Sequence, residues 1–233
     1  EYNSREMMAY CKRHGFDISP HGKTNMSPTL VDMQLVDGVW GISATSNWQM
    51  RTFYSMGVPR VILTNEVVNP TIIKWISKTL NRDKNFDLLM YVDSVAGVKL
   101  LNDVLAPLKP SRPLTVLIEM GVKGGRAGAR SKETAIEVAK AVAASDYLVL
   151  RGISGFEGVA LAPEGKTVLD GVDDFLDLIV ETVKEIDALG AFAKTPEVVL
   201  TAGGSNYFDR VIAKFAPVSL SKPVRKVLRS GCY

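Results

Sequence analysis

Cysteine is nearly missing from this chain: Cys11 and Cys232 are the only two in 233 residues. Their spacing fits no metal-ligand pattern and gives no disulfide framework, so a reduced, intracellular setting, the cytoplasm, is expected. No apolar run approaches the roughly 18 residues that a membrane span needs, and no signal peptide is visible. Charge of one sign is also lacking. The formal net charge is +3 and there is no block of lysine and arginine, so neither nucleic acid nor a membrane surface is expected as a partner. No Gly-x-Gly-x-x-Gly string follows the first predicted strand, which argues against a dinucleotide fold. No tight hairpin signal joins any two predicted strands. What the chain does have is apolar residues, 46% of the total, enough for a sizeable core and too many for a disordered segment.

Those residues are ordered as an alternation of strand and helix. Ser4 to His14 reads as a leading helix. Strands are expected at Phe16–His21, Val39–Ala44, Arg60–Thr64, Phe86–Val92, Leu114–Met120, Leu148–Ser154, Glu197–Ala202 and Val224–Ser230. Helices fill the gaps and start at recognisable caps. These are Ser27-Pro28, Ser46 with Gln49 as a capping box, Asn69-Pro70, Ser94, Ser131 and Ser205. A long helix is expected from about Val172 to Leu189, closed by Gly190. Eight parallel strands with intervening helices predict an α/β fold, a (β/α)8 TIM barrel near its usual size of ~250 residues. A doubly wound open sheet is the alternative. The chain begins without methionine and stops directly after the last strand, so a domain cut from a longer protein is expected.

In such a barrel the chemistry lies at the carboxyl ends of the strands. His21, Lys23 and Thr24 follow strand one, Thr45 follows strand two, and Asn65 and Glu66 follow strand three. Alternation from Phe16 and Ile18, taken as facing the helices, turns Ser19, His21 and Lys23 to the other side. A lysine amine at the mouth of a parallel sheet is placed to form an imine with a carbonyl. Gly203-Gly204-Ser205 before a helix offers close backbone approach and free N–H groups for a phosphate. Arg126, in the glycine-rich loop after strand five, can hold a carboxylate or a ring nitrogen. Lysine, phosphate cradle and arginine together suit a phosphate-bearing aldehyde, either pyridoxal phosphate or a sugar phosphate on a Schiff-base aldolase. Spacing alone does not choose between them.

The motif strings go further. Pro20-His21-Gly22-Lys23-Thr24 with Ser27-Pro28, then Gly41 to Thr45, Asn65 to Val68, Val92-Asp93-Ser94, Gly124-Gly125-Arg126, Gly155-Phe156-Glu157-Gly158, Ala202 to Ser205 and Leu228 to Tyr233 run in order through almost the whole chain. This set resembles the bacterial D-serine deaminases and D-threonine aldolases, which share the alanine racemase-like N-terminal barrel that binds pyridoxal 5'-phosphate. The resemblance implies that Lys23 bonds the cofactor aldehyde, with His21 beside it. It implies that Arg126 faces the ring nitrogen, and that Gly203, Gly204, Ser205, Cys232 and Tyr233 hold the phosphate. Thr45, Asn65 and Phe156 line the cofactor face. Two positions depart from the pattern: Asn25 stands where histidine or threonine is usual, and Phe156 where tyrosine is common, so only packing against the cofactor is left to it.

The family's C-terminal β domain, which carries the metal ligands in metal-dependent members, is expected to lie outside this chain. With only His14 and His21 as histidines, no metal site is expected here. The activity implied is lyase chemistry on a D-amino acid with a β-hydroxyl, D-serine deamination to pyruvate and ammonia. The freed Lys23 amine, expected to be buried beside positive charge, would act as the base at Cα. A D-threonine-type aldolase, a racemase and a non-catalytic barrel that carries pyridoxal phosphate are the alternatives. A small D-amino acid and, for the full-length protein, a second copy of the chain are the partners expected.

Overall fold

The computed structural model describes residues 2–231 and residue 233; Glu1 and Cys232, the latter one of the expected phosphate-site residues, lie outside the described residues. The chain alternates as the pattern predicts. In order come α1 (Tyr2–Arg13), β1 (Asp17–Ile18), α2 (Pro28–Val36), β2 (Ile42–Ala44), α3 (Asn47–Ser55), β3 (Arg60–Glu66), α4 (Pro70–Arg82) and β4 (Asp87–Val92). Then follow α5 (Val95–Leu105), β5 (Leu114–Met120), α6 (Lys132–Ala143), β6 (Leu148–Gly155), α7 (Val168–Ala188), β7 (Val198–Ala202), α8 (Phe208–Phe215) and β8 (Val224–Leu228). Among the described residues, no helix is long and apolar enough to cross a membrane.

The caps explain most helix starts. Ser27, Ser46, Asn69, Ser94 and Ser131 each accept a first-turn N–H through the side chain. Two later starts differ from expectation, and one cap is incomplete. α7 begins at Val168, four residues before Val172, because Thr167 and Asp170 form a reciprocal capping box. α8 begins at Phe208, so Ser205 is not its cap; Tyr207 holds that position with no side-chain bond. The Gln49 side chain accepts from the N–H and hydroxyl of Thr45 rather than from Ser46, which completes only half of the expected box.

All eight strands are parallel, in the order β1-β8-β7-β6-β5-β4-β3-β2. The sheet curls until β1 and β2, the two ends of that order, meet. Trp40 N–H donates to Ile18 O at 2.8 Å, Ser43 N–H to Pro20 O at 2.9 Å and Gly22 N–H to Ser43 O at 3.0 Å. His21 and Ser43 form a parallel bridge there. Helices pack on the outside, where one face of each strand joins the large core, for example Ile18, Leu63, Met90, Ile118 and Leu228.

The inner face is layered. Ile62, Leu89, Tyr91, Leu117, Val199 and Val227 form a separate inner cluster, with Trp40 against it. At the amino ends of the strands, Arg60, Arg151 and Arg225 interlock with Asp87, Glu197 and Asp17. The guanidinium of Arg60 lies 4.4 Å from the Trp40 ring centroid. A one-residue bulge delivers Arg151 to this ring: Val116 pairs with Leu150 and Leu117 with Gly152, which leaves Arg151 as the extra residue. The next position must be glycine, since a Cβ on Gly152 would lie 1.9 Å from Val199 O. The basal ion pairs close the bottom of the curl, which leaves the carboxyl ends of the strands as the open side.

Candidate active site

A cleft opens at that upper end, with about 640 Å³ of empty space including its mouth. His21, Lys23, Thr24 and Thr45 form one wall. After β1 the chain turns sharply over Gly22, whose absent Cβ leaves room for Phe53; a Cβ would lie 2.4 Å from the Phe53 Cζ. The turn presents Lys23 at the mouth. Lys23 is exposed, so its expected burial is not met. His21 points inward, and its Nδ1 is buried with no hydrogen-bond partner among the described residues. Burial above all, with the positive charges of Arg229, Lys23 and Arg126, pushes the imidazole down to about 3. At neutral pH it is therefore uncharged. Asn25, the residue that departs from the motif, accepts from Ser27 N–H at 3.3 Å. It belongs to the turn that leads into the α2 cap.

The floor is a polar layer from strands that read as apolar runs. Arg229, only 2% exposed, donates from Nη1 to Ser154 Oγ (3.1 Å) and Thr201 Oγ1 (2.8 Å), and from Nη2 to Gly155 O (2.7 Å). Ser154 in turn donates to the Tyr91 hydroxyl at 2.5 Å. Glu119 lines the same cleft. Burial pushes its carboxyl up to about 7; Arg229 opposes that and Asp93 adds to it. Behind it, Glu66 is pushed up to about 7, first by burial and then by its hydrogen bond and charge contact with Asp93.

The far wall comes from loops. Arg130 ties the glycine-rich loop after β5 together by donating to Val122 O, Gly125 O and Ala127 O. Gly128 N–H anchors the loop on Asp93 Oδ2 at 2.9 Å. This leaves Arg126 exposed in the cleft lining, its guanidinium 5.4 Å from the Phe156 ring centroid. Gly203, Ser205 and Gly231 complete the lining. The N–H groups of Gly203 and Gly204 do not point into it, because both are bound by the buried carboxylate of Glu157.

Of the residues singled out from the sequence, His21, Lys23, Thr45, Arg126, Phe156, Gly203 and Ser205 meet in this one cleft. Three do not. Asn65 turns away, with its Nδ2 on Thr45 O and its Oδ1 on Glu66 N–H, and Thr64 takes its place in the wall. Gly204 is buried and does not line the cleft. Tyr233 lines a separate hollow with Asn25, and its hydroxyl accepts from Gln34 Nε2 at 3.3 Å. Among the described residues, none with a charged side chain lines that hollow. Arg229, Glu119 and Tyr91 are additions that the strand pattern did not single out. Their signal was parity: Leu89 and Leu117 face inward, so Tyr91 and Glu119, two residues on, do too.

The donor set tests well against a phosphate-bearing aldehyde. An amine stands at the mouth, two guanidiniums supply positive charge, and an unpartnered imidazole nitrogen awaits a polar ligand atom. Fold and site together define a class, an α/β protein whose cleft at the carboxyl ends of a curled parallel sheet carries the donors an anionic carbonyl compound would need. No protein-family model matches the chain. The 3-hydroxy-D-aspartate aldolase of Paracoccus denitrificans strain Pd 1222 is 31% identical over 215 residues, 90% of this chain and 53% of that protein. The D-threonine aldolase of an Arthrobacter species is 23% identical over 158 residues, 68% of this chain and 40% of that protein. A crystal structure of D-threonine aldolase from Filomicrobium marinum matches with a TM-score of 0.72 at 18% identity, over 99% of this chain and 58% of that one. The chain is therefore similar, over most of its own length, to 3-hydroxy-D-aspartate aldolase and more distantly to D-threonine aldolase, the group its motifs resemble. It spans about half the length of the curated relatives it matches.

Proposed function

We propose that this chain is the cofactor-binding (β/α)8 barrel of a pyridoxal 5'-phosphate-dependent lyase acting on D-amino acids with a β-hydroxyl. The reaction proposed is aldol cleavage between Cα and Cβ, in preference to deamination of D-serine. The observation that carries the reading is the convergence of Lys23, the neutral His21, Arg126 and Arg229 in one cleft. The sequence relatives, named as aldolases, support cleavage over deamination.

Bound in the cleft, the cofactor supplies a carbonyl carbon for amines and a ring that withdraws electrons from Cα. Lys23 brings the only lysine amine among the described residues of the lining, placed to bond that carbonyl and, when released, to take or return a proton at Nζ. His21 stays neutral and offers Nδ1 as a hydrogen-bonding atom without adding charge. Arg126 would meet the ring nitrogen, and Arg229 sets a positive potential under the cleft that suits an anionic ligand. Phe156 supplies an apolar wall that keeps water from one side. Glu119, pushed up to about 7 chiefly by burial, is a group in the lining able to exchange a proton near neutral pH.

The test uses the purified chain with added pyridoxal phosphate. A near-visible absorbance band that disappears in Lys23→Ala supports the reading; a wild-type protein that stays colourless after reconstitution sinks it. The full-length protein is then given D-threonine, 3-hydroxy-D-aspartate and D-serine. Glycine from the first two identifies aldol cleavage, whereas pyruvate from D-serine with no glycine would restore deamination.

A further inference from the structure

The two-glycine loop after β7 is held by all four of its backbone polar groups. Gly203 N–H donates to Glu157 Oε2 at 3.0 Å, and Gly204 N–H to Glu157 Oε1 at 2.5 Å. Gly203 O accepts Arg229 N–H at 3.2 Å, and Gly204 O accepts the Ser230 hydroxyl at 2.9 Å. Glu157 is 1% exposed and is not part of the cleft wall. It reaches the loop from the short 3-10 turn Glu157–Val159, behind Phe156, which is the wall. The pairing spans 46 and 47 residues of sequence, so it ties the loop after β6 to the loop after β7.

A carboxylate suits this position better than any other side chain. Each of its oxygens takes one N–H, and the negative charge strengthens both bonds. The glycines are fitted to it. A Cβ on Gly203 would lie 2.4 Å from Phe156 Cδ2 and 3.3 Å from Glu157 Oε2. Gly204 has φ +74, where L side chains are strained. The consequence is that these two N–H groups are not donors for a ligand. An anion that used them would have to expel a buried carboxylate. From this loop Ser205 reaches the cleft lining, and Gly231 faces it from the segment after β8.

We propose that Glu157 is the positioning residue of the phosphate subsite. Its carboxylate fixes the loop 203–205 so that Ser205 and the groups that follow meet the phosphate, while Glu157 itself never touches the ligand. The inference rests on the cofactor reading above, and the experiment separates the two. Purified chain, as wild type, Glu157→Gln and Glu157→Asp, is titrated with pyridoxal 5'-phosphate and with pyridoxal, which lacks the phosphate, and with inorganic phosphate as competitor. Glutamine keeps the shape but sets an N–H2 group against one donor, and aspartate is too short to span both. Each variant is expected to weaken pyridoxal phosphate binding by about tenfold or more, with pyridoxal changed by less than about twofold. Amide exchange at Gly203 and Gly204, measured with no ligand present, is expected to accelerate in both variants. Equal losses for the two ligands, or unchanged phosphate affinity, would overturn the proposal. If wild type binds neither ligand nor phosphate, the cofactor reading fails along with the subsite. If wild type binds and the variants match it, only the role of Glu157 fails.

Discussion

Ser154 Oγ lies 2.5 Å from the Tyr91 hydroxyl and donates to it, and the same oxygen accepts from Arg229 Nη1 at 3.1 Å. The serine therefore joins β4, β6 and the residue after β8 beneath the cleft. It also gives a buried guanidinium one of its neutral acceptors. The charge is thus felt around the site, where it lowers both His21 and Glu119.

Ser154→Ala should destabilise the chain by about 1–3 kcal/mol, since it leaves a buried charged donor and a phenol short of a partner. Urea titration of the variant reads this as a lower midpoint with an unchanged slope. A midpoint within error of wild type would show that water or a shifted Arg229 replaces the serine.

Glu119 makes stability depend on pH. Its carboxyl is raised from 4.5 to about 7, chiefly by burial, so the protonated form favours the fold. That stability is complete below about pH 4.5 and is lost as pH rises through about 7, on the order of 3 kcal/mol. Glu119→Gln should flatten this part of the profile when ligand-free wild type and variant are compared by thermal melts from pH 4.5 to 8. Parallel profiles would remove Glu119 as the cause.

His21 should stay neutral across the working range. Its value of about 3 lies below the ordinary 6.5 because burial and three nearby cations oppose protonation. The unfolded chain then takes up a proton that the fold refuses, so this group costs stability as pH falls from about 6.5 towards 3. Imidazole NMR signals of His21 should not move between pH 5 and 8. A midpoint for His21 inside that window would contradict the placement.

Gly152→Ala should be among the most damaging single changes. The new methyl would lie 1.9 Å from Val199 O and 2.8 Å from Val199 N, which forces β6 and β7 apart where they pair. A loss of about 4 kcal/mol or more, or failure to accumulate as folded protein, is expected. Near-wild-type melting would mean that the bulge at Arg151 can relax.

Much of the fold was legible before any coordinates. The eight strands and most helix starts rest on local signals, serine or asparagine caps and glycine stops, that need no tertiary partner. The misread ends have local causes too. Thr167 with Asp170 is a better cap than the apolar pattern starting at Val172 suggested. Ser205 resembles a cap but sits in a turn two residues before Tyr207. The site was legible where a residue announces itself by type and place, as Lys23 and Arg126 do. It was not legible at Tyr91, Glu119 and Arg229. Strands buried on both faces read as apolar runs, and only packing shows which face looks into the curl.

The sequence alone determined the order of strands and helices and the presence of a lysine after the first strand. Hydrophobic spacing and capping chemistry act over a few residues and survive without the fold. Only the tertiary structure decided what surrounds that lysine. It turned the N–H groups of Gly203 and Gly204 onto Glu157 and away from the cleft. It also buried His21 and brought Arg229 near it from the other end of the chain, so that the imidazole stays uncharged. Both outcomes depend on burial and on the direction of donors across loops far apart in sequence, quantities that no local run of residues encodes.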